Sequence, residues 1–192
     1  MPRRTELIPL RSIRADFQPE LWAGLGVEID AELYAISETF VALGVMVLFG
    51  LVMFIRGNRR AFFVALGMAM AGVFLIAVAL IGNATDRINA FTFMVLIGLG
   101  IYLPYVAVHT TIFERLIAMT RDRGNIGYLL YLADAFGYLG YVAVVIGKNI
   151  WGGPDGFLEF FLAASGIIVG VSVLMLASCW IYFARLPTPQ GA

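Results

Sequence analysis

Charged residues are scarce in this chain, and their scarcity excludes an ordinary water-soluble domain. Only 14% of the 192 residues are Asp, Glu, Lys or Arg, whereas 61% are hydrophobic. A typical globular domain carries about 25% charged residues. The 13 basic and 13 acidic residues balance to a net charge of zero. No excess of either sign therefore favours nucleic acid or another highly charged partner.

Cysteine, a leader pattern and catalytic motifs are also lacking. Cys179 is the single cysteine, which excludes a disulfide within the chain. Charges interrupt the N-terminal segment, so no apolar core of a cleaved signal peptide is present. We find no Walker A pattern, no glycine-rich dinucleotide fingerprint, no HExxH motif and no metal-ligand spacing. These absences predict a protein that is not an enzyme and binds no cofactor or metal.

Long apolar runs are what the sequence has in abundance. A helix needs about 20 apolar residues to cross a hydrocarbon core about 30 Å thick. Backbone amides in lipid must be satisfied within the segment, so runs of this length should be helices. The sequence predicts an all-α membrane protein with a polar segment at 1–32, a five-helix domain at 33–184 and a tail at 185–192. The five spans are expected at 33–55, 61–81, 90–113, 126–147 and 160–183.

Basic residues in the connections predict the orientation, because short loops rich in Lys and Arg stay in the cytoplasm. The connections at 82–89 and 148–159 hold only Arg87 and Lys148. We therefore expect the N-terminus outside and the C-terminus in the cytoplasm. The richer set lies in the other two connections and the tail: Arg56, Arg59, Arg60, Arg115, Arg121, Arg123 and Arg185.

The N-terminal segment leaves two interpretations open. Its apolar residues are spaced near four apart, and Pro19 can open a short helix. An interfacial helix anchored by Trp22 fits this pattern, and so does a partly ordered loop. The apolar residues concerned are Ile13, Phe17, Leu21, Trp22 and Leu25.

Polar residues inside the fourth span recur at steps of three, three, four and three, which predicts one helical face. An ionised Asp facing lipid at mid-span costs about 2.5–3.5 kcal/mol, so the acid in this series should face protein or water. The series comprises Tyr128, Tyr131, Asp134, Tyr138 and Tyr141.

A second polar series in the third span follows the same spacing, with Tyr102, Tyr105 and His109 in line and Thr110 on a neighbouring face. Pro104 can kink this helix. His109 and Asp134 lie about 7 Å and 12 Å from the same end of their helices at 1.5 Å per residue, so they can meet. One hypothesis is a polar cavity that binds a solute or relays protons. The alternative is that Asp134, hydrogen-bonded by tyrosines, only fixes helix packing.

Two weaker features complete the candidates. Glu38 lies near the outer end of the first span, where we expect its side chain to reach toward water, with a role in the polar pathway as the alternative. Gly166 and Gly170 form a GxxxG pair in the fifth span, a pattern that permits close approach between helices. This pair supports a bundle without identifying one.

Three stretches carry a resemblance to a known family: 102–117 (YLPYVAVHTTIFERLI), 124–142 (GNIGYLLYLADAFGYLGYV) and 14–22 (RADFQPELW). They resemble the C-terminal part of a family of uncharacterised bacterial membrane proteins that look like major facilitator superfamily transporters. The resemblance implies a bacterial inner membrane location and five helices that correspond to the last five of twelve. The basic loop at 56–60 (RGNRR) is similar to a loop of that superfamily, although it lacks the usual acidic residue.

The resemblance also exposes a departure, because such transporters place their site between two six-helix halves. This chain supplies five helices of one half. It is a fragment, a chain whose start lies upstream, or a subunit that pairs with another copy or a separate half-transporter chain.

We predict a transporter-like protein that moves an unknown small solute or proton, with the lipid bilayer and no nucleic acid as partners. A non-transporting assembly subunit is the alternative. An intramembrane enzyme using His109 and Asp134 has the least support, since no nucleophile motif accompanies them.

Overall fold

The structure is a computed structural model that describes residues 14, 16, 18–27, 31–120, 124–151 and 157–185. About 90% of it is helical, and these ranges contain no β-strand. The helices they contain are α1 (Gln18–Gly24), α2 (Ala31–Val52), α3 (Asn58–Ala84), α4 (Ala90–Ala107), α5 (Phe113–Thr120), α6 (Ile126–Trp151) and α7 (Phe157–Arg185), with a π-helical turn at Val108–Ile112 between α4 and α5.

Five helical segments in this part of the chain are long and apolar enough to cross a membrane, with mean hydropathies between 1.8 and 2.7. Four are α2, α3, α6 and α7, and the fifth is the continuous helix Ala90–Thr120, formed by α4, the π-helical turn and α5. The expected all-α class with five membrane-length helices is therefore confirmed. The third span continues to Thr120 rather than ending at residue 113. Of the predicted features, Arg121, Arg123, Ile13, Phe17 and the tail beyond Arg185 lie outside the described residues.

The closest helix packing joins α3 and α4 through two glycines. A Cβ placed on Gly72 would lie 2.6 Å from Cδ of Pro104 and 2.8 Å from the backbone oxygen of Gly100. Pro104 has no N–H to offer the carbonyl one turn earlier, which belongs to Gly100. That carbonyl instead faces the Cα of Gly72, an approach that only glycine permits.

The bundle has an aromatic core at the end where α2 begins, which we call the N-terminal face. Leu21 and Trp22 of α1 are buried there against α4 and α7, and Trp22 is only 2% exposed. Gly24 allows the close contact, since a Cβ on it would lie 2.9 Å from Cβ of Leu158. The structure thus buries α1 in the bundle, and Trp22 is not the surface anchor that an interfacial helix would use.

A second core lies at the opposite end, where α7 finishes at Arg185, which we call the C-terminal face. The rings of Phe62 and Phe183 lie 5.1 Å apart, joining α3 to α7. Polar bonds reinforce this end, where Arg59 donates to the backbone oxygen of Ala184 at 3.1 Å. The side chain of Arg115 donates to Oδ1 of Asn58 at 2.9 Å, so α5 is tied to the start of α3.

Helix α6 is packed more loosely than the others. None of its most apolar 18-residue stretch is buried, whereas 44% of the corresponding stretch of Ala90–Thr120 is. Gly166 and Gly170 of α7 also have open space around them, with nothing within 4 Å of an added Cβ. The GxxxG pair therefore makes no helix contact among the described residues, and Gly72 and Gly100 fill that role instead.

Candidate functional site

The candidate site lies next to Pro104, which interrupts the backbone hydrogen bonding of the third span. Proline removes a backbone donor and crowds the preceding turn, so the helix loses its regular geometry nearby. Four residues later the backbone adopts the π-helical turn Val108–Ile112, which carries His109. Single π-helical turns inside α-helices are often found at functional positions.

His109 and Asp134 form a polar pair between the third and fourth spans. Nε2 of His109 lies 2.9 Å from Oδ1 of Asp134, and the two side chains are 21% and 20% exposed. Nδ1 of His109 lies 2.9 Å from the backbone oxygen of Tyr105, and the rings of Tyr105 and His109 are 4.3 Å apart. The structure therefore brings together the two residues that depth alone suggested could meet.

The hydrogen bonds of His109 define how many protons the pair holds. A carbonyl oxygen only accepts, so Nδ1 must carry a proton to bind Tyr105. The bond between Nε2 and Asp134 then requires one more proton, carried either by the imidazolium or by the carboxylic acid. Both forms have the same net charge. Both contacts can therefore be hydrogen bonds at the same time only when the pair shares one proton more than a neutral His109 beside an ionised Asp134.

A cavity of about 640 Å³ opens beside this pair. His109 is among the residues that line it, whereas Asp134 meets the cavity only through His109. The polar side chains in the lining are Tyr105, His109 and Ser172. The remaining walls are apolar side chains and proline or glycine: Val73 and Ile76 of α3, Ile101, Pro104 and Val108 of the third span, Ala133, Gly137, Gly140, Ala143 and Val144 of α6, and Ile168, Met175 and Leu176 of α7.

The tyrosines of the fourth span divide between two sides of α6. Tyr128, Tyr131 and Tyr138 are 65%, 79% and 49% exposed and point away from the bundle, while Tyr141 is partly buried. Each step of three residues falls about 60° short of a full turn at 3.6 residues per turn. Two such steps separate Tyr128 from Asp134, so these side chains point in directions about 120° apart around the helix axis. The predicted single face is therefore a broad arc. The predicted tyrosine-walled site is not what the structure contains around Asp134.

The other predicted site residues are placed individually. Tyr102 lies half-buried one turn before Tyr105 and outside the cavity lining. Thr110 is exposed, and its hydroxyl donates to the backbone oxygen of Val106 at 2.7 Å. Neither residue contributes to the cavity wall, although both are on the helix that carries His109.

Glu38 belongs to a separate polar cluster near the N-terminal face. Its Oε1 lies 2.5 Å from Nη2 of Arg14 and accepts a hydrogen bond from Nε2 of Gln18 at 3.1 Å. The Arg14 side chain is 3% exposed and also donates to the backbone oxygen of Met94 at 3.4 Å. Nε of Arg14 has no hydrogen-bond partner among the residues that the structure describes. Glu38 therefore pairs with a buried cation, and the expected reach toward water is only part of its environment.

Arg14, Asp16 and Gln18 are the residues that sequence reasoning missed. The hydroxyl of Tyr141 donates to Oδ2 of Asp16 at 3.1 Å, which ties α6 to the N-terminal segment. Arg14, Gln18 and Leu21 recur at steps of four and three, a helical spacing that could have indicated one bundle-facing side. Neither the interfacial helix nor the partly ordered loop predicted for this segment gives these polar residues a role in the bundle.

These observations define the chain as an all-helical protein with five membrane-length helices and a polar pair inside them. Its sequence matches the family of unknown function DUF5690 over residues 5–186, and the chain belongs to this family. The expectation of an uncharacterised family is confirmed at that level. No curated protein and no solved structure matches the chain. Among the described residues, no group of three or more His, Cys, Asp or Glu is placed to hold a metal ion.

Proposed function

We propose that this protein is a transporter-like membrane protein that moves an unknown small solute or protons, and that His109 and Asp134 carry a proton along the pathway. The observation behind the proposal is the 2.9 Å bond between these side chains at the edge of a 640 Å³ cavity. Ionisable residues within membrane spans are costly and usually mark an ion or substrate pathway. We place the N-terminus outside and the C-terminus in the cytoplasm of a bacterial inner membrane.

The loose packing of α6 supports a mechanism in which this helix moves. Side-chain bonds that hold it to the described bundle include the pair with His109 and the bond from Tyr141 to Asp16. Loss of the shared proton leaves the Nε2 lone pair facing a carboxylate, which breaks the first bond. Deprotonation would therefore release α6 near Asp134 and open the cavity that the helix covers.

The resemblance to the C-terminal half of major facilitator transporters implies that a second half completes the pathway. The exposed phenols of Tyr128, Tyr131 and Tyr138 are consistent with a partner surface, because a hydroxyl facing lipid has no hydrogen-bond partner. This same observation favours a second candidate function, a non-transporting membrane subunit. In that case the tyrosine face mediates assembly, and the polar pair fixes the packing of α6.

Proton flux into vesicles tests the leading proposal. The full chain is reconstituted into phospholipid vesicles with pyranine inside, and uptake is followed after an external pH drop. We expect Asp134→Asn to abolish uptake, because an amide can still donate to Nε2 but cannot release a proton. Asp86→Asn is the matched control, since Asp86 is an exposed loop carboxylate distant in sequence from the pair. Uptake that survives Asp134→Asn removes Asp134 from the pathway.

Oligomer size separates the second candidate from the first. If wild-type chain conducts no protons but forms a defined oligomer, and Tyr131→Ala dissociates it, the assembly role replaces the transport role. Tyr141→Phe is the control, because Tyr141 faces the N-terminal segment and not the exposed side of α6. A wild-type monomer that conducts protons contradicts the assembly role.

A further inference from the structure

His109, the ionisable side chain that lines the cavity, is already bonded through both of its ring nitrogens. Nδ1 of His109 is bonded to the backbone oxygen of Tyr105, and Nε2 is bonded to Asp134. Neither ring nitrogen is free for a molecule in the cavity while the pair is formed. A solute with many hydroxyl or charged groups would therefore leave most of them unpaired, which is unfavourable in an apolar site.

Besides His109, the polar side chains in the lining are Tyr105 and Ser172, so the walls offer few hydrogen bonds. Aliphatic side chains from α3, α4, α6 and α7 surround the space, and Ser172 is the one hydroxyl that α7 adds. Water needs two to four polar partners to occupy a cavity stably, so the aliphatic part of these walls offers it no stable position. The volume of about 640 Å³ falls within the usual range of small-molecule pockets, about 300–1,000 Å³.

Small residues on α6 keep this space open. Ala133, Gly137 and Gly140 line the cavity where larger side chains would fill it. Across the space, Pro104 holds α4 against Gly72 of α3, so that wall does not move inward. The apolar space therefore results both from the small residues of α6 and from the packing of α4 against α3.

We propose that the cavity binds an uncharged lipophilic molecule, either a free lipophile or the acyl chain of a bilayer lipid. The inference rests on the proposed function, because it names the class of solute for the same site. Binding is measured separately from flux, so the two can fail independently. Bound lipophile without proton flux overturns transport alone, whereas proton flux without lipophile binding overturns the solute class alone.

Photolabelling tests the class of ligand. The purified full chain in dodecyl maltoside is irradiated with 3-trifluoromethyl-3-(m-iodophenyl)diazirine, an uncharged probe, and the labelled residues are mapped by mass spectrometry. We expect saturable labelling around Val108 and Met175, suppressed by excess iodobenzene and unaffected by the same concentration of glucose. A second arm uses phosphatidylcholine vesicles whose acyl chains carry a diazirine. Labelling at the cavity in that arm identifies a bilayer lipid as the occupant, and labelling in the first arm alone identifies a free lipophile.

Matched variants decide whether the labelled space is the cavity. Ala133→Leu fills it and should remove the saturable labelling, whereas Ala135→Leu makes the same change on the exposed side of α6 and should leave it intact. Gly137→Leu is a second filling variant if Ala133→Leu is not monodisperse on size exclusion. Equal labelling in the filling and control variants overturns the proposal. So does labelling confined to the exposed face of α6 in both arms.

Discussion

The ion pair between Arg14 and Glu38 allows a quantitative test of how the N-terminal segment is attached. Glu38→Ala removes the carboxylate and leaves a guanidinium whose side chain is 3% exposed, while the Glu38 side chain is 35% exposed. Breaking a buried pair from one side typically costs about 3–5 kcal/mol. Because the backbone oxygen of Met94 still accepts from Arg14, we expect a loss near the lower end, about 3 kcal/mol.

The reverse substitution should cost less. Arg14→Met removes the charged guanidinium, which lies beside Gly98, and keeps an unbranched apolar stem in its place. Glu38 then remains partly exposed and still accepts from Gln18. The variant loses the bonds to Glu38 and to the backbone oxygen of Met94, each worth about 0.5–1.5 kcal/mol net, but it also avoids the cost of burying a charge, so the expected loss is about 1 kcal/mol. The two single variants should therefore differ by about 2 kcal/mol although they break the same contact.

The assay is equilibrium unfolding of the four variants of a double-mutant cycle in mixed micelles, titrated with SDS and followed by tryptophan fluorescence. The double variant Arg14→Met with Glu38→Ala should be no less stable than Glu38→Ala alone, because it has no unpaired buried charge. Equal losses in the two single variants, or strictly additive losses in the double variant, would refute a buried guanidinium as the cause.

Three further predictions follow from named contacts. Gly72→Ala should destabilise the fold by about 1–3 kcal/mol through its clash with Pro104, whereas Gly166→Ala should be neutral or better in the same SDS titration. Tyr141→Phe should cost about 1 kcal/mol by freeing Asp16, and equal stability of the variant would exclude that bond. Asp134→Ala should cost about 1–3 kcal/mol by leaving Nε2 of His109 unpaired, while Asp134→Asn retains a donor and should cost less. Thermal unfolding of the two position-134 variants, measured side by side, checks this order.

The five spans were predictable because the bilayer core offers no hydrogen-bond partners to the backbone. A run of about 20 apolar residues must satisfy its own amides as a helix, whatever its neighbours are. The sequence could predict that His109 and Asp134 are able to meet, because the two residues lie at similar depths in neighbouring helices. Their contact also required the correct helix rotation, which the π-helical turn at Val108–Ile112 alters in a way that a regular helical spacing cannot describe.

Small residues illustrate what sequence spacing does not determine. The GxxxG pair Gly166 and Gly170 has the spacing of a helix contact, yet no atom of the described residues lies within 4 Å of a Cβ placed on either glycine. Gly72 and Gly100 lie on different helices, so no spacing along the chain relates them. Their contact brings the backbone oxygen of each glycine to 2.8 Å from a Cβ placed on the other, which only the fold reveals.

Composition and length alone determined that this chain is a set of five membrane-length helices, since apolarity and backbone hydrogen bonding act within each segment. Tertiary structure decided which side of α6 faces the cavity and which side exposes its tyrosines. It also decided that Arg14 is buried against Glu38. Those outcomes depend on contacts between residues far apart in the chain, where a rotation of one helix changes every partner at once.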